Sequence, residues 1–290
     1  MTERQQYIAA IGMFDGVHCG HAHLLKQLAQ KARELGYKSL ALTFSHHPAE
    51  TICPARAPQL LGDAAQRSRM IKDLGIDRVE VLDFGADDFK LTAAEFIEKI
   101  KREYGAQAVL MGFNNHIGSD RKSGDEIKAS VPVYVATPYS AFAVSSSLVR
   151  SAIADSDFEK ARQLLGHEFA VRGTVESGRH LGRTIGFPTA NIRPLDRHQL
   201  LPPDGVYAVD VVLDNGEEYR AMANIGTRPT VGGHRRTFEV YIIGFDGDLY
   251  GRMLEVSFLG RLRNEQKFDS LEALSAQLER DKKAAVAFEK

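Results

Sequence analysis

The chain has 290 residues, a net charge of -1 and a hydrophobic fraction of 43%. This length is about twice that of a typical single domain, so we expect two domains, and the balanced charge gives no electrostatic reason to expect nucleic acid or a membrane as a partner. Two cysteines, no apolar run of membrane-spanning length and no signal-peptide pattern predict a cytoplasmic protein without a disulfide framework.

From residue 7 to about residue 137, short apolar segments alternate with amphipathic ones. YIAAIG is followed by LLKQLAQKARELG, SLALTFS by AQRSRMIKDLG, and RVEVLDF by TAAEFIEKIKREYG; AVLMG and VPVYVATP complete the series. This alternation predicts βαβ units that form a parallel sheet with helices on both faces. Gly36, Gly75 and Gly105 stand where a left-handed residue would end three of the helices. Ligands are expected at the carboxyl ends of the strands.

The second half of the chain has a different pattern. SSLVRSAIADSDFEKARQLLG predicts two short helices, the second with Asp155 or Ser156 as its N-cap. Five or six strand-like segments follow from Glu168 with no helix between them, which predicts a small closed barrel. Turns at 214–216 and 246–248 predict antiparallel hairpins. A final helix, roughly 270–288, carries Leu271, Leu274 and Leu278 at helical spacing and is expected to pack on the barrel.

A glycine-rich turn with histidines, GMFDGVHCGH, joins the first predicted strand to the first helix. Its glycines let backbone amides approach a ligand, and the helix start offers N–H groups and a positive dipole end to a phosphate. His18 and His21 are expected to point at the same oxygen cluster and to donate to the phosphates and to the charge on a pyrophosphate leaving group. The turn therefore predicts a phosphate site.

Two other interpretations of the turn stay open. A zinc site would need about four converging ligands, and His18, Cys19, His21 and His23 are too close in sequence to converge without help from elsewhere. The histidines could also be solvated surface groups. We interpret Cys19 and His23 as structural or solvent-facing residues.

The turn resembles the phosphate-binding signature of the nucleotidylyltransferase superfamily. With Phe-Asp-Gly in its middle, it is similar to the amino-terminal half of the prokaryotic bifunctional riboflavin kinase/FMN adenylyltransferases. Further segments resemble this family in the expected order: 43–48, 111–114 and 145–150 in the first half, and 173–191, 224–230, 238–241, 245–251 and 262–268 in the second. The resemblance covers about residues 8–285.

Two positions depart from the family pattern. His46 stands where the family more often has Pro. Residues 114–118, Asn-Asn-His-Ile-Gly, stand where it usually has an acidic residue followed by Phe-x-Phe-Gly, so two aromatic rings are missing. Stacking of a flavin or adenine ring is expected to be weaker there.

The resemblance implies a fold and a function. The fold is an α/β doubly wound parallel-sheet nucleotidylyltransferase domain at 1–155, a connecting helix at 156–167, and a small antiparallel β-barrel riboflavin kinase domain with a C-terminal helix at 168–290. The barrel would transfer the γ-phosphoryl group of MgATP to riboflavin. The first domain would then adenylylate FMN with a second ATP, giving FAD and pyrophosphate.

The resemblance also implies site residues. Glu239 is implied as the general base of the kinase step, and His18 and His21 as catalytic groups of adenylyl transfer. The implied ATP and phosphate contacts are Gly12, Phe14, Asp15, Gly16, Gly20, Ser146, Ser147, Arg150, Gly178, Arg179, Gly182 and Arg183. The implied flavin contacts are Asn114, Arg228, Arg263 and Phe268.

Thr189 and Asn191 are implied as Mg²⁺ ligands, since their oxygens suit a hard cation. The glycine-dense segment within 173–191 carries Arg179 and Arg183 and can fold over phosphates. A plain hairpin with solvated arginines is the alternative. The implied partners are riboflavin, FMN and ATP, with no nucleic acid and no membrane; the oligomeric state is left open. Two alternative functions remain. The first is a riboflavin kinase whose amino-terminal domain is catalytically weak or acts on another phosphate ester. The second is a non-catalytic flavin-binding or storage protein, which would need neither Glu239 nor the paired histidines.

Overall fold

The structure is a computed structural model that describes residues 5–83, 85, 87–112, 115–177, 186–230 and 233–289; at 228–230 and 233–235 it describes the backbone alone. The chain divides into two compact units, Met1–Ser145 and Ser146–Lys290. The domain boundary expected at residue 155 falls within the second unit.

The first unit is built on a five-stranded parallel sheet in the order β3-β2-β1-β4-β5. Because the chain runs outwards from β1 to β3 and then resumes at β4 on the other side, the topological switch point lies between β1 and β4. The doubly wound fold is confirmed. The strands are β1 (Tyr7–Ile11), β2 (Lys38–Phe44), β3 (Arg78–Leu82), β4 (Ala106–Met111) and β5 (Val133–Val135), and the helices are α1 (Cys19–Leu35), α2 (Pro48–Ile52), α3 (Ala64–Asp73), α4 (Ala93–Tyr104) and α5 (Gly124–Ile127).

Apolar cores cover both faces of this sheet. Ile8 on β1 packs with Leu25 and Leu28 of α1 on one face, and Leu40 on β2 packs with Ile97 of α4 on the other. Successive strand residues therefore enter opposite cores, as a doubly covered sheet requires. The predicted glycine caps are confirmed: Gly36, Gly75 and Gly105 all have positive φ at or just after the ends of α1, α3 and α4.

The second unit contains a closed barrel of six strands in the order β10-β7-β6-β11-β8-β9, with antiparallel pairing throughout. The predicted barrel and final helix are confirmed. Phe258 in the barrel interior contacts the rings of Phe158, Phe169, Tyr207 and Phe238. The elements are α6 (Ser146–Ala154), α7 (Phe158–Leu165), β6 (Phe169–Glu176), β7 (Ala190–Pro194), β8 (Gly205–Leu213), β9 (Glu218–Thr230), β10 (Gly233–Ile242), β11 (Met253–Arg263) and α8 (Leu271–Val286).

Three local expectations were wrong. The N-cap of α7 is Asp157, whose side chain accepts the N–H of Lys160, instead of Asp155 or Ser156. The turn at 246–248 joins β10 to β11, which are not neighbours in the barrel and so form no hairpin. Leu271 is 62% exposed because it lies at the first residue of α8, whereas Leu278 packs against the barrel cluster.

In the described part of the chain, no helix combines the length and the apolar character needed to cross a membrane.

Candidate active sites

The turn after β1 has a strained backbone. Phe14 and Val17 have φ values of 48° and 39°, a region that L-residues rarely adopt and that β-branched residues adopt least. Two contacts from distant segments hold the turn in place: Asp15 Oδ1 accepts the backbone N–H of Leu61 at 2.9 Å, and Thr43 Oγ1 donates to the carbonyl of Met13 at 3.0 Å. Strain of this kind persists only where the surrounding structure fixes it, and it is concentrated at functional sites.

His18 and His21 form a stacked pair at the start of α1. His18 is the N-cap, its Nδ1 accepts the backbone N–H of His21 at 3.2 Å, and the two ring centroids are 3.6 Å apart. Phe14 meets the ring of His21 edge-on at 5.4 Å. Gly20 permits this arrangement, since a Cβ there would lie 3.2 Å from Cε1 of His18. The two predicted histidines therefore lie together at a helix N-terminus.

Burial keeps both imidazoles neutral. It lowers the pKa of His18 to about 4. The pKa of His21 is held well below its usual range by burial and, to a smaller extent, by the neighbouring His18. Because Nδ1 of neutral His18 accepts a hydrogen bond, its proton lies on Nε2, which is a donor suited to a phosphate oxygen.

This burial predicts a pH-dependent stability. Between about pH 6.5 and pH 4 the unfolded chain binds a proton at His18 that the folded chain does not, so the free energy of unfolding falls as the pH drops through this window. At 1.36 kcal/mol per pKa unit, the loss expected from His18 alone is of the order of 3 kcal/mol, and the lowered pKa of His21 adds to it. It can be measured by urea unfolding and by hydrogen exchange of the α1 amides across this range.

The matched variants are His18→Gln and His23→Gln, two histidines of the same segment. His18→Gln should reduce the pH dependence in this window to the part that His21 contributes, whereas His23→Gln should leave it as in the wild type. An unchanged slope in folded His18→Gln protein would contradict the assignment of the proton to His18.

A cavity of about 770 Å³ opens beside Gly12, at the carboxyl ends of β1, β2 and β4. Its lining is mainly apolar and includes Phe44, Ile52, Phe96 and Met111. This is the edge of the sheet where the topological switch point predicts a ligand. The cavity has the size and apolar character of small-molecule sites.

The longer of the two departures from the family pattern lies at this cavity. Asn115, His116 and Ile117 line it, and Ile117 is buried. The other departure, His46, stands in the sequence between the lining residues Phe44 and Pro48. Its Nδ1 lies 2.9 Å from Ser45 Oγ and its Nε2 lies 3.1 Å from Thr51 Oγ1, both within hydrogen-bonding distance. His46 thus connects the end of β2 to helix α2.

Other predicted phosphate contacts differ in accessibility. Phe14 and Asp15 are 3% and 2% exposed, so both residues are enclosed by protein, and the Asp15 carboxylate is bound to Leu61. Ser146 begins α6, with Ser147 next to it, and Arg150 follows on the same face as Ser146 one turn later. Asn114, Gly178, Arg179, Gly182, Arg183 and the side chain of Arg228 lie outside the described residues.

On the barrel, Glu239 is central to a row of polar residues. In the strand register, it lies opposite Asn191 of β7 on one side and Asn224 of β9 on the other, and Glu176 of β6 follows next to Asn191. Side chains directly opposite each other share a face. Because its neighbours Phe238 and Val240 are buried, Glu239 points away from the barrel interior.

Thr189 joins this row from the segment before β7. Its Oγ1 donates to Glu239 Oε2 at 3.4 Å, and it also lines a cavity of about 370 Å³ together with Asp246 and Asp248. The structure therefore brings together the predicted base Glu239 and the predicted Mg²⁺ ligands Thr189 and Asn191. The turn at 246–248 lies at the same site.

Arg263 and Phe268 are also adjacent, with the guanidinium 5.7 Å from the ring centroid. Arg263 is bound to the protein itself: its Nε and Nη2 donate to the carboxylate of Asp281 on α8 at 2.8–3.0 Å, and Gln277 donates to the same carboxylate at 2.7 Å. Asp281 is 3% exposed. The ion pair fixes α8 to the end of β11 beside the predicted flavin contacts.

Two residues of these sites were not found by the sequence analysis. Asp281 lies far along the chain from Arg263, which it contacts, and no motif marks it. Arg67 is fully buried on α3, and its only sequence signal is a position one helical turn before the buried Ile71. Among the described residues, no group of three or more His, Cys, Asp or Glu is arranged to hold a metal ion.

Two family models match separate parts of the chain, one within each compact unit. The FAD synthetase family model matches residues 1–137, and the riboflavin kinase model matches residues 165–288. The bifunctional riboflavin kinase/FMN adenylyltransferases of Pseudomonas fluorescens and Escherichia coli K12 are 39% and 37% identical to the chain, over 98% and 97% of it and 94% and 92% of their own lengths.

One solved structure matches along the whole chain. It is described as a macrolide-efflux protein from Streptococcus pneumoniae, is 33% identical in sequence and has a TM-score of 0.86. The match covers 100% of this chain and 96% of that one. The match therefore extends through both units.

Proposed function

Because the chain belongs to the family of bifunctional riboflavin kinase/FMN adenylyltransferases, we propose that its second unit phosphorylates riboflavin and its first unit adenylylates the FMN so formed. The chain is an ATP-dependent enzyme of flavin biosynthesis that makes FMN and then FAD. A match to both family models favours this function over a riboflavin kinase with a weakened amino-terminal unit. The observation that supports this division is that His18 and His21 lie together in the first unit, whereas Glu239, Thr189 and Asn191 lie together in the second. We expect the enzyme to work in the cytoplasm.

In the first unit, we assign the stacked histidines to adenylyl transfer. A phosphate oxygen of FMN attacks the α-phosphorus of ATP, and the bond to the β-phosphate breaks to release pyrophosphate. Backbone amides of Gly16 and Gly20 and the Nε2–H donor of His18 suit the phosphates, and His21 suits the charge that develops on the leaving group. The apolar cavity beside Gly12 suits the planar flavin ring of FMN.

Positioning would supply most of the rate in this step. Phosphoryl-type transfer needs little covalent help from the protein, so fixed donors and an aligned attacking oxygen are sufficient. Ser146, Ser147 and Arg150, which the resemblance implies as phosphate contacts, lie on α6 at the start of the second unit. The neutral, buried histidines would be stabilised in their charged form once anionic phosphates bind beside them.

In the second unit, we assign Glu239 as the base that accepts the proton of the ribityl 5′-hydroxyl while the γ-phosphoryl group of ATP is transferred to that oxygen. Arg179 and Arg183 would contact the phosphates from the segment before β7. Arg228, Arg263 and Phe268 would contact the flavin, Arg263 from the position that Asp281 gives it.

The oxygens around Glu239 suit Mg²⁺. Thr189 offers a hydroxyl and Asn191 a carboxamide oxygen, and both are hard donors of the kind that Mg²⁺ prefers. Thr189 and Asn191 would hold the ion together with the ATP phosphates. When bound, it neutralises charge on the transferring phosphoryl group.

The test is a single incubation followed by chromatography. With riboflavin, ATP and Mg²⁺ the protein should produce FMN first and then FAD with pyrophosphate, and with FMN in place of riboflavin it should produce FAD directly. Removal of Mg²⁺ with a chelator should stop riboflavin phosphorylation. Accumulation of FMN without FAD would contradict the bifunctional assignment.

A further inference from the structure

A fully buried arginine lies behind the first site. Arg67 on α3 has a relative exposure of 0%, and none of the motifs includes it. A guanidinium does not lose its charge in a protein, so burying it is costly unless its donors are satisfied. Here the fork binds two backbone carbonyls: Nη1 donates to Gly62 at 2.7 Å and Nη2 donates to Phe44 at 2.5 Å.

Each of these carbonyls belongs to a different part of the site. Phe44 is the last residue of β2 and forms part of the wall of the apolar cavity. Gly62 follows Leu61, whose N–H binds Asp15 in the strained turn before the histidines. One side chain therefore connects the wall of the cavity to the anchor of the phosphate-binding turn.

We propose that Arg67 is a positioning residue for adenylyl transfer. It holds the wall of the apolar cavity at Phe44 in a fixed position relative to the turn that carries His18 and His21. This inference rests on the proposed function of the first unit. Arginine suits the role because its planar fork reaches two acceptors at once, whereas a lysine ammonium is a point charge that cannot reproduce this geometry. Adenylyl transfer requires this fixed position because the attacking phosphate of FMN and the α-phosphorus of ATP are bound by different sides of the site.

The variants Arg67→Lys and Arg67→Met separate positioning from folding. In Arg67→Met, kcat for conversion of FMN to FAD should fall by about 10²-fold, the loss typical of a misplacement of about 1 Å. The KM values for ATP and FMN should stay near those of the wild type, because each half of the site keeps its own contacts. The kcat of Arg67→Lys should lie between those of the wild type and Arg67→Met.

Four controls accompany these measurements. Riboflavin phosphorylation in the same preparation should be unchanged, since it belongs to the other unit. Arg69→Met replaces an exposed arginine of the same helix and should leave both activities intact. Assays run at temperatures far below each variant's unfolding midpoint exclude loss of folded protein. Guanidinium ions added to the Arg67→Ala variant should restore part of kcat for adenylylation.

The outcomes are distinct. Wild-type kcat in folded Arg67→Met or, if that variant does not fold, in Arg67→Lys would overturn the inference, as would a rise in KM with kcat unchanged. A wild-type protein that makes no FAD would instead overturn the proposed function of the first unit.

Discussion

Replacing Glu239 with Gln is expected to lower the rate of riboflavin phosphorylation by about 10³-fold, within the range that loss of a general base produces. Gln keeps the shape of the side chain and can still accept the hydrogen bond from Thr189, so the barrel should stay folded. It cannot accept the proton of the attacking hydroxyl. Conversion of FMN to FAD by the same preparation should continue at the wild-type rate, because that reaction belongs to the other unit.

Glu218→Gln is the matched control, since Glu218 is an exposed carboxylate at the start of the neighbouring strand β9. Both products should be followed by chromatography, starting once from riboflavin and once from FMN. Full phosphorylation activity in Glu239→Gln protein would show that another group accepts the proton. Loss of both activities in folded protein would show that the two reactions share one site.

His21→Ala is expected to have the opposite effect. FMN adenylylation should fall by about 10² to 10³-fold, the loss that follows removal of one preorganised donor to a developing charge. The stacking partner His18 and the edge contact with Phe14 lose a neighbour, so part of the loss will come from a less ordered turn. Riboflavin should still be phosphorylated at the wild-type rate.

His23→Ala provides the control on the same helix, because His23 lies outside the stacked pair and contacts Thr137 and Tyr139 instead. The readouts are kcat for adenylylation and the amount of FMN accumulating from riboflavin. If His21→Ala makes FAD as fast as His23→Ala, His21 has no catalytic part in adenylylation.

Local patterns in the sequence were enough to predict the elements on which both sites are built. The alternation of apolar and amphipathic segments predicted the doubly wound sheet, and the spacing of glycines and histidines placed His18 and His21 at the start of α1. These predictions depend on neighbouring residues, and the structure bears them out. The glycine caps of α1 and α4 are local features of the same kind.

Features that depend on contacts between distant residues could not be predicted in this way. The bond between Asp15 and Leu61, the two carbonyls that Arg67 binds and the ion pair of Arg263 with Asp281 all join segments that only the finished fold brings together. Periodicity also gave no sign that the histidines would be stacked and neutral, because their pKa values depend on burial.

The left-handed backbone of Phe14 and Val17 has a consequence for the evolution and engineering of this motif. Each such conformation costs of the order of 1–3 kcal/mol, which the ten residues of the turn cannot offset by themselves. Contacts from Thr43 and Leu61 must already be present for the turn to adopt its shape. The ten-residue signature is therefore not sufficient by itself. If it is grafted onto another strand and helix without the contacts from Thr43 and Leu61, we expect its backbone to relax and its proposed affinity for phosphate to be lost.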